Sequence, residues 1–530
     1  MTAMLTRPGD AVRADRDSFR RLLHAEWTKF RTVRGWVIGT IAGGLLIIAV
    51  NLIPGGQCGG MQANGQPSLG GPGCALTLGP AGQAVTDSFY FVHQPMGPAG
   101  SITVRVTSLT GSYPPGNSPG QPAASALQPW SKAGIIIKAS TRPGSAYAAM
   151  MVTGSHGVRM QWDYTQDTPG LGGAVSQTTP RWLRLTRAGD TVTGYDSADG
   201  ARWARIGVAT LPRLPATVQA GLFAASPGSS SVTSQSATGS SGSGASAQAT
   251  AAFDRVDLRR MPPGSRWRGT SIGAVPNPGN QSPGGGYRQS GGTLTVTGSG
   301  DIAPSLPGGD GGTAGSVAGT EVGTFAGLIA VLVVATMFIT AEFRRGLIRV
   351  TLTASPRRSR VLAAKAIVLG AVTFLVGLPA AYIALLTGER KEQAGGISMY
   401  PVPVLTELRL IVGTAALLAV AAVLALGIGA AIRRGAAAVT AVIAVIVLPY
   451  FFAGPLAVLP AGAAEWLLRL TPAAGFSIQQ AYPRYFQLGF SYTPGNGYFP
   501  LAPWAGFAVL CLWAALALGL AGYLLRRRDA

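Results

Sequence analysis

No glutamate occurs between Glu26 and Glu321. Glycosidases built on a β-sandwich usually need a close pair of carboxylates. Only aspartates are on offer there (Asp163, Asp190, Asp196 and Asp199 among them), and most stand where turns favour Asp. With three histidines, and neither HExxH nor a paired CxxC, a zinc centre is not expected. A GxxxxGK[ST] loop is absent too, so the chain shows no ATP engine of its own. Acids are scarce throughout: 21 Asp and Glu face 42 Lys and Arg, a formal charge of +21. Nucleic acid is not the expected partner, because the cations cluster at the ends of apolar runs and no aromatic-basic module appears. Cysteine is limited to Cys58, Cys74 and Cys511. Cys58 and Cys74 can close a loop worth roughly 3 kcal/mol, or stay as two thiols; the sequence leaves both open.

What is abundant is apolar: 47% hydrophobic residues, with only 12% charged. Six runs, 36–53, 322–341, 366–388, 410–432, 435–459 and 501–525, are each long enough to cross a bilayer. The expected fold class is an α-helical polytopic membrane protein with six transmembrane helices and a large inserted all-β sandwich. Seven Lys and Arg crowd residues 342–365, where Glu342 is the single acid. Arg433-Arg434 and Arg526–Arg528 fall on the same side if the spans alternate. That side is cytoplasmic by the positive-inside rule. Both termini are then cytoplasmic in a multi-pass plasma-membrane protein, with 55–320 extracytoplasmic.

Taken in order, 1–17 reads as a disordered cytoplasmic tail. Residues 18–54 read as an interfacial helix, apolar at Phe19, Leu22, Leu23, Trp27 and Phe30, leading into the first span. No small-residue cleavage site follows that span, so it is an anchor rather than a signal peptide. Residues 55–80 form a Gly/Pro-rich linker. In 81–260, alternating segments recur at sandwich spacing: 102–106, 133–138, 147–152, 158–164, 182–187, 191–195, 202–208, 217–224 and 250–258. The Ser/Gly/Ala tract Pro227–Ala249 reads as a surface loop, and 261–320 as Gly/Pro-rich linker with one hairpin near Thr293–Thr297. Residues 321–530 hold spans two to six. Ala461–Gln480 suits a short helix at the outer interface, and Pro449 and Pro455 suit a bend in span five.

Candidate site residues follow. Glu342 ends a span before Arg344, Arg345, Gly346 and Arg349; it can pair with those arginines or with the basic amino-terminal helix, or stand exposed in water. Glu26, Trp27 and Lys29 mark that helix. Trp130, Trp162 and Trp182 are possible sugar-stacking residues, although filling the space between sheets is the commoner fate of such aromatics.

The helix Leu22-Leu-His-Ala-Glu26-Trp-Thr-Lys29-Phe-Arg31, the six spans, Ala341-Glu342-Phe-Arg-Arg-Gly346, Leu352-Thr-Ala-Ser-Pro356-Arg-Arg and Ala363-Ala-Lys365 together resemble the permease subunit of type-2 ABC exporters. The resemblance covers 18–54 and 320–528. It implies that 342–365 is a coupling loop docking on a separate cytoplasmic ATPase. It also implies an elbow role for the amino-terminal helix, a second permease copy or paired subunit, and ATP entering only through the partner, with no cofactor bound directly. Residues 81–260, through Trp130–Lys138, Tyr147–Val152, Gly157–Trp162 and Trp182–Asp190, are similar to a concanavalin A-like (laminin G-like) jelly roll, which adds a cell-surface glycan as a possible partner. A rival reading makes the chain a membrane-anchored glycan-binding or sensing protein whose spans only carry the sandwich.

Overall fold

A computed structural model of the chain describes residues 8–53, 59–61, 67–69, 75–112, 127–236, 239–245, 247–260, 262, 265–273, 285–307, 323–347, 357–453, 459–488, 492, 494 and 497–527. Cys58, Cys74, Arg349 and Pro455 lie outside the described residues.

The helical part opens with α1 (Pro8–Thr32), which starts well before the expected residue 18, and α2 (Arg34–Asn51). It resumes with α3 (Gly323–Arg344), α4 (Arg358–Ala394), α5 (Val404–Ile432) and α6 (Gly435–Ala453). It ends with α7 (Ala461–Leu470), a 3-10 turn over Pro472–Gln479, and α8 (Pro503–Arg527). Among the described residues, α2, α3, α4, α5, α6 and α8 are the six helices long and apolar enough to span a membrane. At 37 residues α4 reaches about 55 Å, more than a hydrocarbon core needs, so it projects beyond the span. α6 breaks at Val447, two residues ahead of Pro449, whose ring leaves no N–H for the helical ladder. The core of this part gathers Leu328, Leu332, Ala335 and Phe338 of α3, Leu362 and Leu369 of α4, and Leu418, Ala422 and Leu426 of α5.

The β part is a sandwich of two seven-stranded antiparallel sheets. In chain order its strands are β1 (Phe89–Met96), β2 (Ala99–Ser112), β3 (Lys132–Lys138), β4 (Tyr147–Thr153), β5 (Val158–Trp162), β6 (Gln166–Pro169) and β7 (Arg181–Ala188). They continue as β8 (Thr191–Ser197), β9 (Ala204–Thr210), β10 (Val218–Ala225), β11 (Gln248–Arg259), β12 (Arg268–Ile272), β13 (Gly286–Ser290) and β14 (Thr293–Ser299). One sheet runs β9-β8-β7-β2-β11-β14-β13 and the other β12-β1-β10-β3-β4-β5-β6. Val104, Val106, Leu183, Leu185 and Val192 of the first meet Ile135, Ile137, Met150, Val152 and Leu222 of the second in one buried core. Sheet strands continue past residue 260, to β14. The Ser/Gly-rich tract is also not all loop: Ser229–Ser236 pairs with Gly239–Ala245, a hairpin that small side chains hide from any alternation pattern. Gly134, mid-β3, is a steric necessity, since a Cβ there would stand 2.1 Å from the Met150 carbonyl oxygen.

Chain direction fixes which ends of the bundle meet. The exit of α3 and the entry of α4 flank the basic loop, and an Arg358 terminal nitrogen donates to the Leu525 carbonyl near the end of α8. At the opposite end, Ala84 and Leu306 from beside the sandwich pack with Leu385 of α4, Tyr400, Leu410 of α5, Tyr482 and Tyr498. Ser305 Oγ lies 2.9 Å from Tyr400 Oη, which donates to the Leu306 carbonyl at 3.1 Å. The sandwich and the basic loop therefore occupy opposite ends of the helices.

Candidate functional site

Where α1, α3 and α4 meet beside the basic loop, four ionisable side chains form a cluster. Lys365, two turns into α4, is fully buried, and its Nζ donates to Glu26 Oε2 of α1 and to Glu342 Oε1 of α3, both at 2.6 Å. Lys29, one turn beyond Glu26, reaches Glu26 Oε1 at 2.8 Å and Glu342 Oε1 at 3.4 Å. Two cations thus balance two carboxylates. Burying one such charge alone is costly, and the cluster persists because each has an opposite partner within hydrogen-bond reach. Burial on its own would lower the Lys29 pKa, but the bond to Glu26 and the charge of Glu342 outweigh it and leave it raised.

Aromatic rings close the floor. The Lys365 ammonium lies 4.8 Å from the centroid of Phe338, and Phe338 packs edge-on against Trp36 at 4.9 Å and Phe30 at 5.7 Å. Cation–π attraction and exclusion of water both strengthen the ionic contacts. Arg433, past the end of α5, lies 5.0 Å over Phe343, the neighbour of Glu342. Four helices therefore converge on the Glu342-Phe343 step.

Of the residues singled out from sequence, Glu26, Lys29 and Glu342 come together. Arg344 and Arg345 do not join them: both are exposed, at the last residue of α3 and just after it. Gly346 sits at φ +67, a left-handed position that suits glycine at a helix C-terminus, and turns the chain away there. Trp27 is 42% exposed on the outer face of α1. In the sequence Lys365 stands as one of seven loop cations and in the Ala363-Ala-Lys365 motif, with no role attached to it. The signal that could have found it is its setting, a lone lysine inside Leu362-Ala-Ala-Lys365-Ala-Ile-Val, which demands a buried partner.

The three tryptophans lie in three different places. Trp130 is buried, stacked on His156 at 4.0 Å and edge-on to Phe486 at 5.6 Å. Phe486 belongs to the segment leading to α8 and also meets His156 at 5.5 Å and the Arg159 guanidinium at 5.3 Å, while Gln487 beside it donates to the Tyr164 carbonyl. Trp130 thus serves as a seat for the helical part. Trp162 packs half-buried against the sandwich core, and Trp182 stands half-exposed on the outer face of the other sheet.

Comparison with known proteins adds a family. A family model described as ABC-2 family transporter protein matches residues 207–530, more than half of the chain. No curated protein matches. Among solved structures, a functionally unknown protein from Saccharomyces cerevisiae is 17% identical over 40% of this chain and 96% of its own, with a TM-score of 0.22. SCP-B, a member of the eqolisin family of peptidases solved with the tripeptide Ala-Ile-His, is 9% identical over 40% and 98%, with a TM-score of 0.24. Scytalido-glutamic peptidase is 10% identical over 40% and 98%, with a TM-score of 0.25. At these scores the likenesses carry no argument about fold or activity.

Proposed function

The chain belongs to the ABC-2 family of transporter proteins, a membrane protein and the permease component of an ABC transporter, and from that premise we propose that it is an exporter subunit driven by a separate cytoplasmic ATPase docked on the 342–365 loop. The observation that carries this reading is Lys365, whose single ammonium ties α1 to both helices that flank the loop. A push on the loop then moves α1, α3 and α4 as one body instead of bending the loop alone. Glu342 is the joint, because it is bonded to both lysines.

The basic helix ends support a cytoplasmic placement of this face, with both termini on the same side and the sandwich outside. In the proposed cycle, closure of the ATPase displaces the loop, the α1–α3–α4 body tilts, and spans two and five (α3 and α6) rearrange to open the pathway to the other side. A second copy of the permease, or a paired subunit, completes the pathway. ATP enters through the partner.

Glu342→Ala is the direct test. It should leave membrane insertion and ATPase binding in place while abolishing ATP-driven transport. Native transport by this variant would remove Glu342 from the coupling path.

A further inference from the structure

We propose that the outer face of the β9-β8-β7-β2-β11 sheet binds an anionic polysaccharide, with uronate-type carboxylates held by arginines stacked on tryptophans. Strand alternation sets the face. Val104, Leu183, Leu185 and Val192 point into the core, so Thr103, Arg105, Trp182, Arg184 and Tyr195 point out. Register then places Arg105 opposite Trp182, and aligns Thr103, Arg184, Tyr195 and Arg205 in one row across four strands.

Each tryptophan carries guanidinium. Arg184 Cζ lies 3.8 Å over the Trp203 ring, and Arg105 and Arg255 flank Trp182 at 5.8 and 6.0 Å. Arg184 spends only Nε, on Thr103 Oγ1 at 3.1 Å, and its terminal amino groups make no hydrogen bond among the described residues. Arg255 sits at φ +49, beside a register break in β11. A left-handed conformation is costly for arginine, yet it is what keeps this side chain over Trp182. Asp254, which accepts from Arg105 through Nε at 2.7 Å and through a terminal nitrogen, and Asp257, in register with Thr103 and bonded to Arg259, are acids of this face, against Arg105, Arg184, Arg205 and Arg255.

The described contacts of Phe486 and Gln487 fall elsewhere: Trp130, His156, Arg159 and Tyr164, which they meet, belong to the opposite sheet or its loops. An indole beside a guanidinium fork matches a pyranose ring bearing a carboxylate, with the apolar ring face on the indole and the carboxylate on the fork. A neutral glycan would leave the guanidinium groups of Arg184, Arg205 and Arg255 without an anionic partner among the described residues, Arg105 being held by Asp254.

That an envelope polymer meets this face rests on the proposed topology, but binding by the purified protein does not. The full chain in nanodiscs would be titrated with polygalacturonate, dextran, inorganic polyphosphate and polyglutamate. The expected result is saturable, salt-sensitive binding of polygalacturonate alone, weakened about tenfold in Arg184→Gln, Trp203→Ala and Arg205→Gln. Arg205 is exposed, so its variant tests the site without threatening the fold. Arg184→Lys should also lose binding, because an ammonium neither stacks flat nor forks. Absence of polygalacturonate binding would overturn the proposal. So would equal binding of polyphosphate or polyglutamate with Arg184→Lys intact, which would mark a generic cationic patch. Labelling of Arg205→Cys on intact cells by an impermeant maleimide, in a chain with Cys58, Cys74 and Cys511 changed to Ser, reads the topology separately.

Discussion

Replacing Lys365 with Met keeps the length of the side chain and removes its ammonium. Two carboxylates, Glu26 and Glu342, then remain buried with only Lys29 to balance them. Removing one partner of a buried ion pair costs about 3–5 kcal/mol. At about 2–4 °C per kcal/mol, the unfolding midpoint of the purified permease should fall by about 6–20 °C. Lys29→Met supplies the internal control. This change also leaves two buried carboxylates with one cation, but the Lys29 side chain is 37% exposed, so water reaching its vacated place screens the excess charge and its loss should cost less than that of Lys365. The geometry also demands non-additivity. Because Glu342 Oε1 and Lys365 Nζ share one bond, Glu342→Gln combined with Lys365→Met should cost about 1–3 kcal/mol less than the two single changes summed. Thermal unfolding of the four proteins in one detergent completes the cycle. A Lys365→Met protein no weaker than Lys29→Met, or fully additive single changes, would refute the assignment of Lys365 as the keystone.

Two further predictions concern the sandwich. Phe486→Ala together with Gln487→Ala should unseat it from the helical part, seen as faster proteolysis of the 482–499 segment with the unfolding of the sandwich itself unchanged; equal proteolysis would dismiss that contact as incidental. His93 bonds Gln219 at 2.8 Å and Thr270 at 3.0 Å, and burial, reinforced by Arg268 against the opposing Gln219 bond, lowers its pKa below the usual 6.5. Below pH 6.5 the unfolded chain therefore binds more protons than the folded one. The stabilisation is complete above that pH and is lost as pH falls through the folded value. The midpoint should drop between pH 7.5 and 5 in the native protein and drop less in His93→Gln; equal drops would disprove the role of His93.

Much of the fold is legible in the sequence because periodicity carries it. The six spans are bounded by arginines, and the nine expected strands all appear. The missed strands are those whose pattern is damaged. β1, Phe89–Met96, is buried on both faces, so Phe-Tyr-Phe-Val shows no alternation. β6 and β12 are sheet-edge strands of mostly polar residues, whereas the hairpin expected near Thr293–Thr297 is present as β13 and β14. At the candidate site, Glu342 is conspicuous as the lone acid among cations, but its bond to Lys365 spans a loop and that of Lys365 to Glu26 spans 339 positions. Only packing of α1 against α4 brings those groups together. The outer-face arginines are hidden for a similar reason: Arg105, Arg184 and Arg255 are ordinary strand cations until the fold sets them over Trp182 and Trp203.

The central claim is that this permease takes its energy from a separate ATPase through the 342–365 loop. Affinity purification from native membranes, repeated with Arg344, Arg345 and Arg349 changed to Ala, tests it most directly. The account predicts that a soluble ATPase carrying a GxxxxGK[ST] loop co-purifies with the native chain and is lost from the variant, while the variant still inserts and unfolds normally. An ATPase retained by the variant would move the docking surface elsewhere, and a native chain that brings down no ATPase would contradict the claim itself.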